Sequence, residues 1–196
     1  MTDGGHVVIV AAPSGAGKTT LVRHLLEQFP QLEFSVSACN RQQRVGEVNG
    51  KDYYFISTED FQEKVRNEEF LEYEEVYPGQ YYGTLKSELR RIWSQNKTVL
   101  FDVDVHGGLE LKLKFSTKAL ALFIKPPSIE ALRARLEHRN TETAEKIRMR
   151  LEKAAFEMEY EKRFDRVVVN DSLQHAKETA VQIVGDYLNA VTKQEA

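Results

Sequence analysis

The stretch VVIVAAPSGAGKTT, Val7 to Thr20, decides the fold. Six apolar residues, four of them β-branched, read as a strand buried on both faces of a parallel sheet. Pro, Ser and Gly then break the run ahead of a single Lys. The segment Ala12-Pro-Ser-Gly-Ala-Gly-Lys-Thr19 fits the phosphate-loop pattern G-x-x-x-x-G-K-[ST] everywhere except at the first place, where Ala12 replaces Gly. Such a loop turns its backbone N–H groups inward to make a nest for phosphate oxygens, and Gly15 and Gly17 supply angles that a Cβ would obstruct. A following helix adds its positive end. Pro13, Ser14, Gly15, Ala16, Gly17, Lys18, Thr19 and Thr20 are therefore the expected residues for binding a nucleoside triphosphate, with the Lys18 ammonium on the terminal phosphates and the Thr19 hydroxyl on Mg2+. Ala12 is harmless if its φ is negative and weakens the nest if its φ is positive.

The rest of the chain sets limits on this reading. With 196 residues and 41% hydrophobic composition, a single compact domain with inserted subdomains is expected. A net charge of -3 argues against broad binding to nucleic acid or an anionic membrane, so any phosphate chemistry is local. The one cysteine, Cys39, excludes an internal disulfide. No apolar run reaches the roughly 18 residues of a spanning helix, and MTDGGH lacks the regions of a signal peptide. Cytoplasm is the expected compartment.

Further short strands are expected at Val99 to Val105, Ala119 to Ile124 and Val167 to Val169. Helical stripes lie between them. Leu21, Val22, Leu25, Leu26 and Phe29 make one over Lys18 to Phe29; Ala176, Ala180, Ile183, Val184 and Leu188 make another over Asp171 to Leu188. Ser128 is an expected N-cap, and Asp171 with Gln174 an expected capping pair. The fold class is thus α/β, a three-layer sandwich with a parallel central sheet. Residues 34–84, rich in tyrosine and in the turn signals VGEVNGKD and YPGQYYG, read as an inserted, partly β subdomain. Residues 132–158, densely charged and broken at RNTET, read as two helices forming a flap. The core is then 1–33, 85–131 and 159–196.

The segments FSVSACNRQQRVGEVNGKDYYF (Phe34 to Phe55), EFLEYEEV and YYGT, together with the phosphate loop, resemble the guanylate kinase family. The likeness continues through DVDVHGG, RLEHRNTETAEKIRMRL and VVVNDSL, from about Val7 to Leu188. It implies a P-loop nucleoside monophosphate kinase that uses Mg2+ to move the γ-phosphoryl of ATP to GMP, and to dGMP as well. By this resemblance Arg41, Arg44, Tyr53 and Tyr82 bind the GMP phosphate, and Glu72, Ser37 and Thr84 read guanine. The chemistry agrees. Guanidinium forks suit phosphate, and a carboxylate accepts from both the ring N–H and the amine of guanine, a pattern adenine lacks.

Asp102 and Asp104 alternate on the apolar run, so both are expected on one face near a strand end where ligands gather. The resemblance gives Asp102 indirect support of the metal and gives Asp104 the acceptor. It also places Arg135, Arg139 and Arg150 on the flap, against donor phosphates, and Asn170 in a backbone segment lining the adenine site. Lys18, Arg44, Arg135, Arg139 and Arg150 are the expected catalytic cations. Tyr54, Tyr73 and Tyr81 are expected to pack, and most of Glu68, Glu69, Glu74 and Glu75 to face solvent.

His106 and Cys39-Asn40 depart from the family pattern, and VYPGQYYG is one residue longer than common forms, which bears on Tyr82 and Thr84. A structural role is expected for His106. The alternative reading is a non-catalytic module of the same fold that binds phosphorylated peptides; the presence of Gly15, Gly17, Lys18, Thr19, Arg139 and Arg150 favours the enzyme. A kinase for another phosphorylated acceptor is a further alternative, against which Glu72 argues. ATP and GMP are the expected partners of a monomer or homodimer.

Overall fold

The computed structural model describes residues 5–138 and 143–195. Strand β1 (Val7–Ala11) is wholly buried. It lies between β7 (Thr98–Val103) and β8 (Ala119–Lys125), parallel to both, with Val7 level with Val99 on one side and Ala119 on the other. Strand β2 (Leu32–Phe34) adds beyond β7 and β9 (Arg166–Val169) beyond β8, giving the order β2-β7-β1-β8-β9.

The alternation of side chains along β1 sorts the core into two layers. Val8 and Val10 pack under α1 (Lys18–Gln28) and α7 (Leu173–Glu195). Val7, Ile9 and Ala11 face the layer that contains α3 (Lys86–Trp93) and α4 (Val105–Phe115). This is the expected α/β sandwich. Of the apolar run Val99 to Val105, however, only the part to Val103 is strand. The Asp104 side chain accepts from the Gly107 N–H at 2.8 Å and starts α4, so local capping ends the strand before Val105 joins the helix.

Capping at the two later helices divides in the same way. Before α5 (Ile129–His138), the Ser128 hydroxyl accepts from the Ala131 N–H at 3.1 Å, as expected. Before α7 it is the Ser172 hydroxyl, accepting from the His175 N–H at 3.2 Å, that caps the first turn. Asp171 accepts from the Ser172 N–H instead, so the expected Asp171–Gln174 pair does not form.

A second, mixed sheet carries β3 (Ser37–Cys39), β4 (Tyr54–Phe55), β5 (Phe70–Tyr77) and β6 (Gln80–Leu85) in the order β4-β3-β6-β5. Helix α2 (Thr58–Arg66) closes its small core, where Phe61 stacks on Phe70 with centroids 4.4 Å apart. Cys39 is buried in β3, and its thiol is pushed above its usual pKa chiefly by that burial.

Glu88, 3% exposed, ties this sheet to the main core. Its carboxylate accepts from the Val36 N–H at 2.9 Å, from the Tyr54 hydroxyl at 3.0 Å and from Arg91. Burial opposes the charge, but these donors outweigh it and hold the Glu88 pKa low.

The third cluster joins α5 to α6 (Ala144–Met158) through Leu132, Leu136, Ile147, Leu151 and Ala154. Met158, at the end of that stripe, packs on the main core instead. Among the described residues no helix is long and apolar enough to cross a membrane.

Candidate active site

The phosphate loop leaves the C-terminal end of β1 and turns into α1. Gly15 and Gly17 have φ of 90° and 94°, a region costly for any residue with a Cβ. Space forbids a side chain there too. A Cβ on Gly17 would overlap Asn170 Nδ2, and one on Gly15 would stand 2.9 Å from Leu136 Cδ2. Ala12 is not among the positive-φ residues and is 4% exposed, so its methyl packs into the core without distorting the nest. Helix α1 has neither a side-chain cap nor an acidic residue in its first turn. Its first N–H groups and positive end are therefore left for an anion.

Lys18 reaches across the sheet, donating to the Val103 carbonyl at 2.7 Å and pairing with Asp102 Oδ1. The ammonium is thereby fixed at the mouth of β7, beside the loop. Thr19 and Asp102 both line the same cleft. Among the described residues no group of three or more His, Cys, Asp or Glu is arranged to hold a metal. One hydroxyl and one carboxylate are nonetheless a suitable protein share for Mg2+, which takes most of its oxygens from water and substrate phosphates.

The second sheet supplies the opposite wall. Across its strands Ser37, Thr84 and Glu72 fall in one row, and Cys39, Tyr82 and Glu74 in the next. The β5–β6 pairing has an irregularity between Glu75 and Tyr77, beyond both rows. Asn40 secures that turn, donating to the Gly79 carbonyl at 2.9 Å and accepting from the Tyr81 N–H at 2.7 Å. Tyr82 and Thr84 therefore keep their register.

Glu72 is 7% exposed, and its pKa is pushed up to about 7, first by burial and then by Asp104 and Glu110; Thr84 and Lys114 pull the other way. Helix α4 comes close enough that a Cβ on Gly107 would lie 3.1 Å from Glu72 Oε2. His106, next along, packs edge-on against Tyr160 with centroids 5.2 Å apart and beside Phe156, the structural role expected of it.

At the end of the row sits the pair of arginines. The Arg41 side chain is 8% exposed, its fork held by Glu47 at 2.7 and 2.6 Å and its Nε donating to the Tyr82 hydroxyl at 3.1 Å. Its guanidinium lies 5.0 Å from the centre of the Tyr53 ring. Glu47 also accepts from the Arg44 N–H at 2.8 Å. It lies three residues past Arg44 in a turn of sequence where both arginines stand out, and only its place in that turn could have drawn attention to it. Burial raises the pKa of Tyr53 and of Tyr82, so both stay protonated donors.

Helices α5 and α6 complete the enclosure. Arg150 lines the cleft and reaches Ser14 Oγ at 3.3 Å. Arg135 donates to the Asn170 carbonyl at 2.8 Å, and the Asn170 side chain donates to the Ala16 carbonyl at 2.7 Å. Asn170 is 4% exposed, and its side chain braces the phosphate loop while Arg135 holds its carbonyl. Arg139 lies outside the described residues.

The sequence also passed over Glu74, Lys153 and Glu157, all of which line the cleft. Glu74 is thus not on the solvent face expected of its acidic neighbours. Lys153 Nζ is 3.8 Å from Asp104 Oδ2 and 3.7 Å from Glu157 Oε1. Burial pushes Glu157 up to about 7. The whole cleft encloses about 960 Å³.

Comparison with known proteins agrees with this geometry. The chain is 44% identical to the guanylate kinase of Bacteroides thetaiotaomicron over 185 residues, covering 94% of this chain and 91% of that one. It is 45% identical to that of Porphyromonas gingivalis over 183 residues, covering 93% and 97%. The crystal structure of guanylate kinase from Anaplasma phagocytophilum superposes with a TM-score of 0.76 at 31% identity, covering 96% of this chain and 87% of that one. A gluconokinase from Sinorhizobium meliloti, 13% identical with a TM-score of 0.53 and coverage of 97% and 98%, shares the fold alone. The family model for guanylate kinase matches residues 4–189, and the chain belongs to the guanylate kinase family.

Proposed function

We propose that the protein transfers the γ-phosphoryl group of ATP to GMP, with dGMP as a further acceptor, in the cytoplasm and with Mg2+, acting as a monomer or homodimer. One observation carries this reading. A single cleft joins the phosphate loop to the wall built by Ser37, Glu72 and Tyr82, and cations from three chain regions, Lys18, Arg41 with Arg44, and Arg150, line it.

In this reading the loop N–H groups and the start of α1 hold the donor phosphates. Lys18 lies over the transferring group. At the far wall the Arg41 and Arg44 guanidiniums and the Tyr53 and Tyr82 hydroxyls hold the acceptor phosphate. Ionised Glu72 accepts from the ring N–H and the amine of guanine, while the Ser37 and Thr84 hydroxyls meet its carbonyl. Adenine would leave Glu72 buried without donors, at a cost of about 1–3 kcal/mol.

The acceptor phosphate is already anionic, so no side chain needs to take its proton. Alignment and charge neutralisation supply the acceleration. Thr19 directly, and Asp102 through its neighbours, would hold the magnesium, whose charge neutralises that developing on the phosphates. Arg135, Arg139 and Arg150 serve the donor side as the flap shuts. The flap also keeps out water that would hydrolyse ATP.

A coupled assay of ADP release with GMP, dGMP, AMP, CMP and UMP tests the proposal. Release should depend on GMP or dGMP. A protein that binds phosphopeptide and releases no ADP with any nucleotide would be the non-catalytic module instead.

A further inference from the structure

We infer that Glu74 and Lys153 read the sugar of the acceptor nucleotide and make the enzyme prefer a ribonucleotide over its 2′-deoxy analogue. The inference deepens the reading above and rests on its placing of guanine at Glu72 and phosphate at Tyr82. On β5, Glu72 is level with Thr84 and Glu74 with Tyr82. Two residues along a strand keep one face and advance roughly 7 Å, a step comparable with the sugar that links a base to its phosphate. Glu74 therefore sits on the cleft wall where the sugar must pass.

The chemistry of the two side chains suits a pair of hydroxyls. Glu74 is half-buried and lines the cleft. Glu74 Oε2 and Asp104 Oδ2 are both buried without a hydrogen bond, and the Lys153 ammonium stands 3.8 Å from the latter. The Glu74 carboxyl group can accept from a sugar hydroxyl whichever way it is ionised. From the flap side, the Lys153 ammonium hangs over the Tyr77 ring at 5.7 Å. Its carboxylate contacts at 3.7 and 3.8 Å are long enough to leave donor capacity. One acceptor and one donor thus flank the place of a vicinal diol, and a deoxy sugar loses a partner there.

Steady-state rates with GMP and dGMP for the wild-type protein, Glu74→Ala, Glu74→Gln and Lys153→Ala test this. The wild-type kcat/KM ratio of GMP to dGMP should be about three- to tenfold, the worth of one neutral hydrogen bond. It should fall towards one in Glu74→Ala and in Lys153→Ala. Glu74→Gln should keep it, because the amide can donate to Asp104 and accept from a hydroxyl. A wild-type ratio of one, or a ratio unmoved by both alanine variants, overturns the inference. No turnover of GMP at all would instead overturn the function on which it rests, and a misfolded Glu74→Ala leaves Lys153→Ala to decide.

Discussion

Lowering the pH should weaken GMP use far more than it weakens ATP use if Glu72 reads guanine as proposed, because that carboxyl titrates near neutrality. Burial, with Asp104 and Glu110 adding to it, places Glu72 at about 7, against an ordinary glutamate near 4.5. Only the ionised form accepts two hydrogen bonds, so kcat/KM for GMP follows the ionised fraction. That fraction is about 0.9 at pH 8 and about 0.1 at pH 6, a tenfold loss. The GMP phosphate, with a second pKa of about 6, adds about a further twofold. A twentyfold fall between pH 8 and 6 is therefore expected, measured at saturating ATP.

Glu157 also titrates near 7, and Glu72→Gln separates the two: its GMP activity starts lower but should fall only by the substrate's twofold. A wild-type profile no steeper than that of Glu72→Gln would refute the assignment of guanine to Glu72. The same shift bears on stability. A carboxyl whose folded pKa is raised binds more protons folded than unfolded, so folding weakens as pH rises from about 4.5 to 7. Urea midpoints should accordingly rise in Glu72→Gln relative to wild type at pH 8 more than at pH 5.

Lys18→Ala should lower turnover a hundredfold or more, as loss of an aimed cation does, while equilibrium dialysis shows GMP still bound; unchanged turnover would remove Lys18 from the donor site. Gly17→Ala combines a φ of 94° with a collision at Asn170, and should cost about 2–4 kcal/mol by chemical unfolding; a wild-type midpoint would contradict the packing described. Glu88→Ala removes the acceptor for the Val36 N–H and the Tyr54 hydroxyl, and should destabilise by about 2–3 kcal/mol, with Glu88→Gln intermediate between the two. Glu47→Ala frees the Arg41 fork, and should raise KM for GMP several-fold with KM for ATP unchanged; a shift in ATP instead would move Glu47 out of the acceptor site.

The layered fold was legible because β1 and its neighbours are buried on both faces, leaving uninterrupted apolar runs that no surface strand shows. The phosphate loop was legible because glycines at positive φ and one lysine occupy fixed spacings. Where the sequence misled, local hydrogen bonding decided. Asp104 reads as a strand residue by alternation, yet its carboxylate serves the Gly107 N–H and begins a helix. Glu74 and Lys153 were hidden for a different reason. Each lies in a run of charged residues, and only the packing of β5 against α4 and the approach of α6 tell the inward members from the solvated ones.

The sealed thiol of Cys39 has a practical consequence. With no second sulfhydryl to compete and this one out of reach in β3, a cysteine introduced at exposed Met149 or Val45 would take a fluorescent or spin label at that position alone. Paired labels would then report, in one preparation, whether α6 and the turn at Val45 change their separation when each nucleotide is added.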